Sequence, residues 1–123
     1  RKDSLDLTKK DRDRIHAAVA RDKADKIIIT HGTDTMVDTA QRLADIKDKT
    51  VVLTGALEPA LFKTSDAVFN IGCAVAAVQT LEHGIYIAMN GRVFPHDRVQ
   101  KNVRMGRFEE QKAGNDTDER NAR

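Results

Sequence analysis

Thr30-His31-Gly32-Thr33-Asp34-Thr35 is the densest polar cluster in the chain, and it directly follows the apolar run Ile27-Ile28-Ile29. Hydroxyls, a carboxylate and an imidazole are thus gathered at one point. A threonine hydroxyl becomes a nucleophile, or activates a water, only with a base nearby. Asp34 is adjacent, and Lys101 is the candidate for a distant partner. Gly32 lets the backbone turn tightly, and the free N–H groups of a helix starting there favour a carboxylate or other anionic ligand. The alternative is that Thr33, Asp34 and Thr35 merely cap that helix. His31 can be an acid/base group or a structural hydrogen bonder at a strand end. His16, His83 and His96 share no metal-ligand spacing, so neither metal nor cofactor is expected. Cys73 lies in an Ala/Val-rich stretch and reads as a small core residue.

These residues need a scaffold, and the pattern supplies one. Thr8-Lys9-Lys10-Asp11 resembles a capping box with Asp for the usual Glu. Ile15, Ala18 and Val19 then form an apolar face to about Ala20. Lys26 to Thr30 is a β-branched run of the kind covered on both faces in parallel sheets. Met36, Ala40, Leu43 and Ala44 mark a second helix, with Asp34 or Thr35 as its cap. Thr50 to Thr54 is another buried-type strand, and the loop from Gly55 to Lys63 holds Pro59. Ser65 or Asp66 caps a third helix with Ile71, Ala74, Val75 and Val78 inward, and Gly84 suits the left-handed position past its end. Ile85 to Met89 is a third strand, Asn90-Gly91 a turn, and Arg92 to Phe94 a returning antiparallel strand. From residue 109 to 123 the chain is polar and aperiodic, which predicts a disordered tail behind a domain spanning 1–108. Strand, helix, strand, helix, strand predicts an α/β fold: a mainly parallel sheet with helices on both faces and right-handed crossovers. In such sheets active groups collect at the carboxyl ends of the strands. That rule selects His31–Thr35, Thr54–Lys63 and the stretch from Asn90 onward.

Composition narrows the function. The 123 residues carry 21 Lys and Arg against 19 Asp and Glu, an interspersed excess of +2 that argues against nucleic-acid or membrane partners. Aromatics are 4% with no Trp, which argues against a base-stacking platform. One cysteine allows no disulfide framework, and a reduced, cytoplasmic setting is expected.

His31-Gly32-Thr33-Asp34-Thr35-Met36 after an apolar strand resembles the second signature of the bacterial-type L-asparaginases. Val51-Val52-Leu53-Thr54-Gly55-Ala56, Pro59, Ser65-Asp66-Ala67 and Asn70 are similar to the next stretch of those enzymes. Ile87-Ala88-Met89-Asn90, then Arg98-Val99-Gln100-Lys101, looks like the segment that presents their active-site lysine. The resemblance covers about Asp3 to Phe108. It implies a Rossmann-like or flavodoxin-like three-layer domain and a cofactor-free amidohydrolase. That enzyme would convert L-asparagine to L-aspartate and ammonia through an acyl-enzyme intermediate, as a homo-oligomer. Carried over, Thr33 is the nucleophilic hydroxyl and Lys101 the base that activates it. Asp34 positions both and binds the α-amino group, Ser4 holds the α-carboxylate, and Gly32 belongs to the substrate cradle. The family's first signature, a Thr-Gly-Gly-Thr strand end with another threonine, has no counterpart here. Neither does its flexible tyrosine, since Tyr86 sits mid-strand, and Leu5 stands where the larger enzymes carry Gln. The chain is therefore expected to begin downstream of that signature, to resemble a compact single-domain branch, and to hydrolyse L-asparagine poorly or not at all alone. The competing readings are a non-catalytic amino-acid-binding or regulatory module on the same fold, and a flavodoxin-like phosphate or flavin binder. The latter lacks a Gly-rich phosphate loop.

Overall fold

The computed structural model describes residues 4–57 and 65–111. Pro59 with its loop, Asp3, and the tail from residue 112 lie outside the described residues, as does the Ser4 side chain.

A 3-10 turn at Ser4–Asp6 leads into α1 (Lys9–Arg21). The capping box closes as expected. Thr8 Oγ1 accepts from the Asp11 N–H at 3.2 Å, and Asp11 Oδ2 accepts from the Thr8 N–H at 3.0 Å. There follow β1 (Lys26–Thr30), α2 (Met36–Arg42), β2 (Thr50–Thr54), α3 (Ala67–Thr80), β3 (Gly84–Met89), β4 (Arg92–Pro95), β5 (Val99–Asn102) and β6 (Arg107–Glu110). β1 to β4 form one sheet in that order, the first three parallel and β4 antiparallel. β5 and β6 form a separate hairpin.

Alternation along the strands divides the core. Val51, Leu53, Ile85, Ile87 and Met89 face Val19 of α1, Met36 and Ala40 of α2 and Leu43 just past its end, with Val99 and Phe108 of the hairpin on the same side. Val52 and Ala88 face Ala74, Ala77 and Val78 of α3. Helices therefore cover both faces, as the α/β reading expects. β2 is buried along its whole length, whereas β1 ends the sheet and its isoleucines are only half-buried. β1 is nonetheless covered on both faces, Ile27 and Ile29 packing on the α1 and α2 side and Ile28 on the α3 side, though less completely than β2.

The crossovers are not all right-handed. β1, β2 and β3 step across the sheet in one direction, yet α2 and α3 lie on opposite faces. Two such crossovers must differ in hand. The Thr50 N–H donates toward β1, to Asp25 O, while Lys49 O accepts from Gly84 of β3. Residues alternate, so Val51 and Leu53 share Lys49's bonding side and point at α2. For L-residues this makes β1–α2–β2 right-handed and β2–α3–β3 left-handed, an arrangement found in about 2% of parallel connections. The connection at 55–66 is far longer than the usual 2–6 or so residues. That length gives the chain room to reach the other face.

Three further expectations are corrected. Ile71 and Val75 are 41% and 43% exposed, and Asn70 and Ala77 take the inward positions instead. Gly84 opens β3 with its N–H on Lys49 O, and left-handed glycines are found at Gly91 and Gly106. Finally, Glu109 and Glu110 belong to β6, so ordered structure passes the expected boundary at 108.

Candidate active site

The site is built where β1 ends. His31 continues the ladder, its N–H donating to Thr54 O at 2.9 Å. The chain then turns through Gly32 into Thr33 and Asp34 ahead of α2. Thr35 is the N-cap residue of α2 but makes no side-chain capping bond. The Asp34 carboxylate engages a different partner.

That partner is Lys101. Its Nζ donates to Thr33 Oγ1 at 2.8 Å and to Asp34 Oδ1 at 2.8 Å, across 68 and 67 residues of chain. Lys101 is 15% exposed and Asp34 42%. The Lys101 side chain is therefore mostly covered, while the Asp34 carboxylate keeps a face a ligand can reach. Lys101 lies within β5. Val99 on the same strand face is buried in the core. Gln100 and Asn102 face the other way, where both donate to Glu109 Oε1 at 3.0 and 3.2 Å. These two bonds hold the Glu109 carboxyl below its ordinary pKa. Alternation on a two-stranded ribbon thus aims Lys101 at Thr33.

His31 has a structural task. Its Nδ1 lies 2.6 Å from Gly32 O and its Nε2 2.8 Å from Thr39 Oγ1. A carbonyl only accepts, so Nδ1 carries the proton. Burial holds the imidazole pKa below its ordinary value, so near neutrality Nε2 accepts from the Thr39 hydroxyl. The ring braces the turn at Gly32 against α2. Thr54, at the second expected location, is also structural, its buried hydroxyl donating to Ala88 O at 2.8 Å.

A cleft of 620 Å³ opens at the carboxyl ends of β1 and β2, lined by Thr30, His31, Gly32, Gly55, Ala56 and Ile71 among others. Gly32 lines this cleft, whereas Thr33, Asp34 and Lys101 are not among its lining residues. Among the described residues no three His, Cys, Asp or Glu side chains are grouped to hold a metal ion. Cys73 is a free thiol on α3, partly exposed rather than core.

Two residues that carry the site's support were not singled out for it. Asn70, fully buried, donates from Nδ2 to Gly55 O at 2.9 Å and to Asp66 Oδ2 at 2.8 Å. Asn90 Oδ1 accepts from the Phe108 N–H at 2.8 Å. An asparagine on an apolar helix face is the signal for the first. The second was hidden by its evident turn role.

The chain is similar to known proteins in both sequence and fold. The family model described as "Asparaginase, N-terminal" matches residues 1–115. L-asparaginase 2 of Escherichia coli is 39% identical over 85 residues, 65% of this chain and 24% of that protein. A probable periplasmic L-asparaginase of Haemophilus influenzae is 42% identical over 82 residues, 63% of this chain and 24% of that protein. Among solved structures, a probable cytoplasmic L-asparaginase from Campylobacter jejuni superposes with a TM-score of 0.79 at 31% identity. The match covers 89% of this chain and 37% of that one. The chain thus spans about a quarter of the length of these curated relatives.

Proposed function

The chain belongs to the asparaginase family, and from that premise we propose that the protein hydrolyses the side-chain amide of L-asparagine to L-aspartate and ammonia. The observation that carries the reading is the pair of 2.8 Å contacts from Lys101 Nζ to Thr33 and Asp34. A hydroxyl with an amine at hydrogen-bond distance, and a third group orienting the amine, is the pattern of an activated nucleophile.

In this mechanism neutral Lys101 takes the Thr33 proton as Oγ1 attacks the amide carbon. The proton passes to the departing nitrogen, ammonia leaves, and an ester to Thr33 remains. Water, activated by the same amine, cleaves that ester and releases aspartate. Asp34 keeps the amine in place, and its exposed side offers a counter-charge to the substrate's α-ammonium. Ser4 as the contact for the α-carboxylate and Gly32 as part of the cradle complete the assignment.

The proposal extends to a cytoplasmic homo-oligomer. The free thiol at Cys73 and the exposed Val68, Phe69 and Val75 on α3 support it. Light scattering tests the assembly.

The deciding assay is ammonia release from L-asparagine by the protein and by its Thr33→Ala and Lys101→Met variants. Lys101→Met is expected to lower kcat by about 10²–10⁴-fold, and Thr33→Ala by at least as much. Undiminished turnover by Thr33→Ala removes the nucleophile assignment. Asparagine binding without any ammonia release supports the binding-module reading instead.

A further inference from the structure

We propose that Asn90 is a positioning residue for the Lys101 ammonium, an inference that rests on the amidohydrolase reading and extends it to the hairpin's support. Asn90 has φ 58° and Gly91 φ 72°, the left-handed pair that turns β3 back into β4. That conformation alone explains an asparagine here. The side chain does something more: it leaves its own turn and accepts the backbone N–H of Phe108 at 2.8 Å. Phe108 is the register partner of Lys101 across the β5–β6 ladder. The bond therefore ties the hairpin to the end of β3 directly opposite the functional amine.

Such a tie matters because β5 and β6 are not part of the main sheet. A two-stranded hairpin is marginal by itself, and this one is seated by the buried side chains of Val99 and Phe108. Apolar contacts of that kind are non-directional and tolerate sliding. A hydrogen bond to the ladder fixes its height. Asn90 is itself held from behind, since its N–H donates to Asn70 Oδ1 at 3.3 Å. Asn70 is anchored on Gly55 O and Asp66 Oδ2. Two amides thus link the end of β2, the start of α3, the end of β3 and β6, the strand paired with the one that carries Lys101.

Two substitutions separate this role from the turn. Asn90→Gly keeps the left-handed backbone at no steric cost but removes the acceptor and orphans the Phe108 N–H. Asn90→Asp keeps both the turn tolerance and an acceptor oxygen at an exposed position. NMR on the full chain reads the geometry without reference to turnover, through Phe108 amide exchange and the Overhauser contact between the Lys101 Cε protons and the Thr33 methyl. Ammonia release reads kcat and KM. Asn90→Gly is expected to speed Phe108 exchange about 10-fold or more, weaken the contact, and lower kcat about 10–100-fold with KM little changed. Asn90→Asp is expected to restore all three. An intact contact and unchanged Phe108 protection in Asn90→Gly overturn the proposal, as does failure of Asn90→Asp to restore them. Should the parent protein release no ammonia while the NMR pair behaves as expected, the positioning role stands and the hydrolase reading falls.

Discussion

Replacing Gly55 with alanine forces apart the two strand ends that carry the site. A Cβ there would stand 2.2 Å from the His31 carbonyl oxygen and 3.2 Å from Met36 Cε. The methionine tip can swing away, but His31 O is main chain. Real Cβ contacts essentially never fall below 3.0 Å, so the backbone must yield by at least about 0.8 Å. The same residue's N–H holds the last ladder bond to Thr54 O. Overpacking costs about 1–3 kcal/mol, and weakening that bond adds up to about 1 kcal/mol, so a loss near 3 kcal/mol is expected. Gly72→Ala on α3 is the matched control. Nothing lies within 4 Å of its added Cβ and the position is an exposed helix interior, so it should gain about 0.4–1 kcal/mol. Urea unfolding of both variants beside the parent measures both signs in one experiment. Because His31 is two residues from Thr33, turnover in Gly55→Ala should also fall, by up to about 10²-fold. A Gly55→Ala variant within about 0.5 kcal/mol of the parent, or shifted in the same direction as Gly72→Ala, refutes the reasoning.

Thr54→Val removes the buried donor to Ala88 O at constant shape and should cost about 1–2 kcal/mol in a urea melt. Phe108→Ala empties the largest fully buried side-chain position, for an expected loss of about 3–5 kcal/mol. The Lys101-to-Thr33 Overhauser contact should vanish with it. His31 carries a pH signature. Its folded pKa is lowered by burial, so at mildly acidic pH the unfolded chain binds more protons than the native one. Stability is therefore full above the ordinary histidine value and declines as pH falls through the lowered one. Thermal melts between about pH 8 and pH 5 should show this decline in the parent and lack that increment in His31→Gln.

The three parallel strands were legible because Ile27–Ile29, Val51–Leu53 and Ile85–Met89 are short β-branched or apolar runs that suit a covered sheet. Thr33 and Asp34 were legible in the same way, because they follow a strand-like run, and the family resemblance joined Lys101 to them. α3 was harder. Its residues include no charge to mark an outer face, so Ile71 and Val75 were read inward on hydrophobicity alone. Packing chose Ala74, Ala77 and Asn70 because small residues let the helix approach β2 and β3, and because Asn70 finds partners there. β5 and β6 were missed because each buries one apolar residue among polar ones, Val99 and Phe108, and half-buried ribbons of that composition resemble surface loops. No residue type encodes the hand of a crossover. That information lies in which face α3 reaches, which local pattern does not contain.

Strand–helix–strand units of open parallel sheets can serve as interchangeable cassettes only where they share one hand, as nearly all do. The β2–α3–β3 unit is not such a cassette. An incoming unit of ordinary hand, spliced at Thr50 and Met89, would lay its helix on the face that α2 already occupies. Ile28 of β1, which packs on the α3 side of the sheet, would be left open to water on the other face. The opposite transplant fails for the mirrored reason, since this unit would carry its helix to the wrong layer of any conventional host. Exchange is confined to donors with the same turn of chain, and library designs that cut inside 50–89 should draw on those alone.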